Sequence, residues 1–134
     1  MPDFEAKLKF LQSPEAYGEP GAQPACIETH MSWVFLVGDR VYKLKKPVRF
    51  PFLDFTTLKA RAFFCREEVR LNRRLAPGVY LGLMALQWRD GAFAMVPEAR
   101  LPLPASGETL DWLVCMQRLP ESRMLHQLIA QGRV

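Results

Sequence analysis

Residues 26–47 read C-I-E-T-H-M-S-W-V-F-L-V-G-D-R-V-Y-K-L-K-K-P. Residues 27–37 are rich in β-branched and aromatic side chains, Gly38-Asp39 supplies a two-residue turn, and residues 40–46 resume the pattern before Pro47 ends it. The stretch therefore predicts a β-hairpin. Side chains alternate along a strand, which puts Val41, Lys43 and Lys45 on one face and Tyr42, Leu44 and Lys46 on the other. Lys43 is thereby held mid-strand, one hairpin turn from a loop, E-T-H-M-S at 28–32, that carries hydroxyls and an imidazole. Lysines on strands are ordinarily solvated and guard an edge. A special role for Lys43 needs support from elsewhere in the chain.

The chain has 134 residues, enough for one domain with a core and too few for two. A net charge of +4, with acids and bases interspersed, permits an anionic ligand without demanding one. The longest apolar runs, such as W-V-F-L-V at 33–37, are far too short to cross a bilayer, and the N-terminus carries Asp3 and Glu5 where a leader would be basic and then apolar. The expectation is a cytoplasmic protein. Cys26, Cys65 and Cys115 are odd in number and far apart, so neither a disulfide framework nor a zinc site is suggested.

Working outward, Phe4, Leu8 and Leu11 form one apolar stripe of a short packing helix closed by Ser13-Pro14, followed by a Pro- and Gly-rich loop to Pro24. On the other side of the hairpin, Phe50, Phe52 and Leu53 are expected to pack under a long helix capped by Thr56 or Thr57, running to about Leu75 and stopped by Pro77-Gly78. Its apolar arc holds Leu58, Ala62, Phe64, Cys65, Val69, Leu71 and Leu75, and Glu68 falls inside that arc, as do Arg61 and Asn72. A carboxylate on the core side is costly without a cation to meet it, and a strand lysine is the obvious kind. The opposite side carries Lys59, Arg66, Arg70, Arg73 and Arg74, a pattern that usually marks a solvated face. Residues 80–88 and 92–96 flank Arg89-Asp90-Gly91 and predict a second hairpin. A last strand over 109–119 has Trp112, Val114 and Met116 on one face and Leu113, Cys115 and Gln117 on the other, and a final helix starts near Glu121-Ser122. The predicted class is α+β, an antiparallel sheet of about five strands, or more if Cys26 to Thr29 pairs separately, with one long helix packed on it.

A lysine on an inner strand, a glutamate in the inward arc of the next helix, a hairpin, a further strand and an exit into a new helix form an ordered set. It resembles the N-terminal small lobe of the protein-kinase-like fold, in the branch of the aminoglycoside phosphotransferase family, some of whose members carry a downstream P-loop ATPase domain. The resemblance rests on E-T-H-M-S-W-V-F-L-V-G-D-R-V-Y-K-L-K-K-P-V (28–48), F-L-D-F-T-T-L (52–58), C-R-E-E-V-R-L-N-R-R-L-A-P-G-V-Y-L-G (65–82) and M-Q-R-L-P (116–120). It implies a lobe over 1–116, of which 1–25 is the leading helix and loop, and over 117–134 a hinge and the start of a larger lobe that these residues do not include. Carried over, it makes Lys43 the ligand of the α- and β-phosphates of ATP or GTP and Glu68 the residue that holds Lys43, with Lys45 the runner-up. The turn at 28–32 would cover the phosphates, with Thr29 and Ser32 hydroxyls available, and Met116, Arg118 and their neighbours would form the adenine-binding hinge.

Two departures shape this expectation. No G-x-G-x-x-G loop is present, which the resemblance ties to the small-molecule branch. Neither His30 nor His126 is followed by Gly-Asp, so the H-G-D catalytic segment and its Mg²⁺ ligands are absent from these residues. The chain alone should bind nucleotide without transferring phosphate, its acceptor being a small molecule met by the other lobe. The alternative in another class is a non-catalytic binding module, or a basic protein using Arg66, Arg70, Arg73 and Arg74 on nucleic acid.

Overall fold

The computed structural model describes residues 3–18, 23–49, 51, 53–100 and 108–118. The chain runs α1 (Phe4–Leu11), a 3₁₀ turn (Pro14–Tyr17), β1 (Ala25–Glu28), β2 (Ser32–Val37), β3 (Arg40–Lys45), α2 (Leu58–Leu75), β4 (Tyr80–Arg89), β5 (Ala92–Pro97), a second 3₁₀ turn (Glu98–Arg100) and β6 (Glu108–Gln117). The six strands form one sheet in the order β1-β2-β3-β6-β4-β5, and every neighbouring pair is antiparallel. The α+β class and the antiparallel sheet match the sequence-based expectation. The count is six because Ala25–Glu28 pairs as a strand of its own with β2. Expected Phe50 and Phe52 packing, the hinge beyond Arg118 and the helix from Glu121 lie outside the described residues.

Local chemistry explains the element boundaries. The Thr57 side chain accepts a hydrogen bond from the Ala60 N–H and caps α2, as Asp3 caps α1 through Ala6. At the β4–β5 turn both Asp90 and Gly91 have positive φ, 49° and 78°, the handedness that a two-residue hairpin needs to match strand twist. The Pro- and Gly-rich segment after α1 begins with the Pro14–Tyr17 turn, which closes on Gly18 in the left-handed region.

Each face of the sheet carries its own cluster. On one side, Ala62, Cys65 and Val69 of α2 pack on Val34, Val41, Leu83, Ala85, Trp112, Val114 and Met116. On the other, α1 and the Pro14–Tyr17 turn bring Leu11, Leu8, Phe4 and Tyr17 against Phe35, Val37, Leu44, Leu86 and Leu113. The sheet is therefore sandwiched, and α1 is the short packing helix expected from the Phe4, Leu8 and Leu11 stripe. Leu71 and Leu75, assigned to the buried arc, are exposed, Leu75 at 82%. At about 100° per residue they lie roughly 120° and 80° around the helix from the sheet-facing Cys65, on its flank, while Ala76 at the helix end still packs on the core.

One buried charge ties the layers together. Asp111 lies on β6 beyond the last β3–β6 pair, Leu44 with Leu113, and is fully buried. Its Oδ1 accepts from Arg61 Nε of α2 at 2.9 Å, and its Oδ2 from Lys7 Nζ of α1 at 3.3 Å. Arg61 also donates to the Phe55 carbonyl at 2.8 Å, which fixes the segment leading into α2. Removing one member of a buried pair strands the other in low dielectric. Asp111→Ala is expected to cost about 3–5 kcal/mol in urea unfolding, and Lys7→Ala, whose partner keeps Arg61, about 1 kcal/mol. Equal costs for the two would contradict the clamp.

Candidate functional site

Strand alternation delivers the central feature of the α2 face. Val41, Lys43 and Lys45 project from β3 toward α2, while Tyr42 and Leu44 join the α1-side cluster. On α2, Glu68 follows Arg61 and Cys65 at the helical spacing that faces the sheet. Lys43 Nζ donates to Glu68 Oε2 at 3.1 Å and Lys45 Nζ to Glu68 Oε1 at 2.9 Å. Each carboxylate oxygen thus holds one ammonium. Lys43 and Lys45 are 6% and 8% exposed, and the Glu68 side chain 11%. The Lys45 ammonium also sits 5.3 Å from the centroid of the Phe55 ring, a cation–π contact.

Burial dominates the electrostatics and the partners decide its outcome. Burial pulls the Lys43 ammonium toward losing its proton, Glu68 opposes this, and the neighbouring Lys45 adds to it, so its pKa lies below that of an ordinary lysine. For Glu68 burial pushes upward, but Lys43 and Lys45 together outweigh it and hold the carboxyl below the usual glutamate range. Two cations beside one anion favour the anion and crowd each other. An incoming anion would relieve that crowding. Close by, burial pushes the Cys65 thiol up to about 12 and raises the Tyr80 hydroxyl well above its usual value, so both stay protonated at neutral pH.

The other expected site residues are placed as follows. Thr29 and Ser32 close the β1–β2 turn around His30-Met31: Thr29 N–H donates to the Ser32 carbonyl at 2.8 Å, and Thr29 Oγ1 accepts from Ser32 N–H at 3.0 Å. The Thr29 hydroxyl is thus engaged in shaping the turn. Ser32 is buried and pairs across the strands with Lys45, which sets the turn directly over the Lys45 end of β3. Met116 pairs with Val41, two positions from Lys43, and its side chain is 1% exposed within the α2-side core. Arg118 stands apart from the lysines. Its N–H and guanidinium bond the Asp39 and Gly38 carbonyls of the β2–β3 turn, roughly 13 Å along β6 from the Lys43 level.

The arginine face is largely engaged within the molecule. Arg66 pairs with Glu98 at 2.9 Å, Arg70 with Glu67 at 2.6 Å, and Arg73 donates to the Tyr80 and Leu81 carbonyls. These contacts diminish the free charge available to a nucleic acid. Three neighbours of the site escaped sequence reasoning. Tyr80 presents a buried hydroxyl with no hydrogen-bond partner among the described residues, close enough to Glu68 to feel its charge. Phe55 and the Arg61–Asp111 pair back the Lys45 side. Only Arg61 gave a signal, as a charge in an apolar arc. Among the described residues no group of three His, Cys, Asp or Glu side chains is placed to hold a metal ion.

No protein-family model matches the chain, and no solved structure matches it. Among curated proteins it is similar to uncharacterized proteins of Mycobacterium bovis and of two strains of Mycobacterium tuberculosis, each 46% identical over 67 residues. Those residues are 50% of this chain and 14% of each relative. The chain therefore spans a small part of the length of the curated relatives it matches.

The ion-pair cluster should be visible in stability against pH. Because the folded-state pKa of Glu68 is depressed, its contribution is fully present above the ordinary glutamate pKa and is lost as pH falls through the folded value. Glu68→Gln is expected to lower unfolding free energy at pH 7 by about 3–5 kcal/mol, since two buried ammonium groups lose their carboxylate. The gap between wild type and variant should then narrow steadily below about pH 4.5, tracked by urea denaturation across pH. A gap independent of pH would show that Glu68 is not ionised in the fold.

Proposed function

We propose that this chain is the nucleotide-binding small lobe of a small-molecule phosphotransferase of the aminoglycoside phosphotransferase type. The observation that carries the reading is the buried pair of Lys43 Nζ and Glu68 Oε2 at 3.1 Å, joining an inner strand to the long helix. Its features are those of a phosphate clamp. An ammonium grips phosphate oxygens well when a carboxylate fixes its position in a water-poor setting, because none of the orientation has to be supplied at binding. Lys43 would contact the α- and β-phosphates, Glu68 would orient it, and the turn around His30-Met31 would cover the phosphates with backbone N–H groups.

A purine ring would lie against the accessible end of an apolar row, at Ala25 and Leu36. Cross-strand pairing aligns Ala25, Leu36, Val41 and Met116 on the α2 side of the sheet, of which Ala25 is exposed and Leu36 half-buried. Met116 would underlie that row from the core. In a complete enzyme of this type, Mg²⁺ would supply neutralising charge at the phosphates. The ammonium donors gathered here suit phosphate oxygens and not a cation, so its ligands would come from the larger lobe, together with the base that orients the acceptor hydroxyl. The 14% coverage of the relatives supports reading these residues as one unit of a longer protein.

A fluorescent ATP analogue titrated with Mg²⁺ into the chain tests the reading. Lys43→Ala, which leaves Lys45 to satisfy Glu68, should weaken binding by about 30-fold or more while the fold, followed by circular dichroism, is retained. Joint charge reversal at Arg66, Arg70 and Arg74 should change it less than about twofold. Binding that survives Lys43→Ala but fails on the arginine variant would reverse the assignment.

A further inference from the structure

We propose that Lys45 is a positioning residue of the phosphate site, holding Glu68 by Oε1 so that Oε2 stays aimed at Lys43. The inference rests on the nucleotide reading above and deepens it.

Three observations converge on Lys45. The first is the division of the carboxylate: Lys45 takes one oxygen at 2.9 Å and Lys43 the other at 3.1 Å. A carboxylate gripped at one oxygen can swing about its terminal bond, whereas two cations on opposite oxygens set its plane. The second is what stands behind Lys45. Its ammonium lies against Phe55, the Phe55 carbonyl is held by Arg61, and Arg61 is fixed by Asp111. The third is position along the strand. Lys45 pairs with Ser32, and the next N–H, of Lys46, donates to the Met31 carbonyl at 2.9 Å, so this end of β3 is bonded to the turn that would cover the phosphates.

Together these give the two lysines different duties. An ammonium carries three N–H donors, so Lys43 can give protons to phosphate oxygens while it keeps its bond to Glu68. A carboxylate free to swing would draw that ammonium off the phosphates. Lys45 holds the carboxylate in place, so the Lys43 donors stay directed at the phosphates.

A double-mutant cycle reads this directly, with the fluorescent ATP analogue and Mg²⁺ on the full chain. Lys45→Met should weaken binding roughly tenfold, Lys45→Arg should restore most of it, and in a Glu68→Gln background Lys45→Met should add less than about twofold. Lys45→Met that binds like wild type, while Lys43→Ala abolishes binding, sinks the positioning role and leaves the nucleotide reading standing. An undiminished effect in the Glu68→Gln background also overturns it, since Lys45 would then act on phosphate directly. Loss of the nucleotide reading itself shows separately, as binding that survives Lys43→Ala.

A pH profile tests whether the two ammonium groups act on one another as the proposal requires. The groups around Lys43 are Glu68 and Cys65 on α2, Lys45 on its own strand, and the apolar Val34 and Val114 on the flanking strands, with Tyr80 beyond Glu68. Cys65 and Tyr80 are both raised, so the alkaline limb of binding reports the loss of the Lys43 proton. Lys45→Met removes a cation that favours that loss, and the limb should move to higher pH. An unmoved limb counts against the proposal. Should Glu68→Gln fail to fold, wild-type protein with isotope-labelled lysine answers alone: added ATP should shift the Lys43 side-chain resonance strongly and the Lys45 resonance little, and equal shifts overturn the assignment.

Discussion

A charge taken out of water has to meet its opposite, and α2 carries two such charges on the side that faces the sheet. Arg61 finds Asp111 on β6, and two turns later Glu68 finds Lys43 and Lys45 on β3. Hydrophobic contact alone would let a helix slide or rotate over a sheet at modest cost, because apolar packing is not directional. Two ion pairs at separate points along the helix, each buried and each to a different strand, allow far fewer placements. The apolar residues beside them, Ala62, Cys65 and Val69, then pack where the charged residues have put them.

The two clusters differ in a way that bears on function. Asp111 is enclosed by partners from both faces of the sheet, with Trp112 N–H also donating to Oδ1 at 3.0 Å, an arrangement suited to holding layers together. Glu68 instead gathers two lysines on one strand, next to a turn and near a buried tyrosine hydroxyl. Both carboxylates meet two cations, but those of Glu68 come from one strand face, where Lys45 disfavours the charge on Lys43. Such crowding suits a site whose further partner is an anion, and that contrast leads from the fold to the phosphate-clamp proposal.

Much of this was legible from local pattern. Alternation in V-Y-K-L-K set Lys43 and Lys45 on one face, the helical spacing of α2 put Glu68 inward, Thr56 or Thr57 marked the helix start, and Arg89-Asp90-Gly91 marked a hairpin turn. These succeed because each depends on residues a few positions apart, where backbone geometry alone fixes the relation. The separate pairing of β1 was less legible, since His30-Met31 carries none of the usual turn residues and the bend there is held by bonds between Thr29 and Ser32. The outward ends of the α2 arc, Leu71 and Leu75, were misplaced for a related reason. Periodicity gives the direction of a side chain but not how far the opposing layer extends.

The amino-acid sequence by itself determined which side chains share a face, where the elements begin, and that an inward carboxylate on the long helix requires a cation. Only the tertiary structure decided that the last strand inserts between β3 and β4, that α1 covers the far face, and that Glu68 meets two lysines while Asp111 meets Arg61 and Lys7. Those partners are 23 to 104 positions apart along the chain. Local preferences carry no record of such distances, and what selects the pairing is the requirement that each buried charge be matched once the apolar faces have closed.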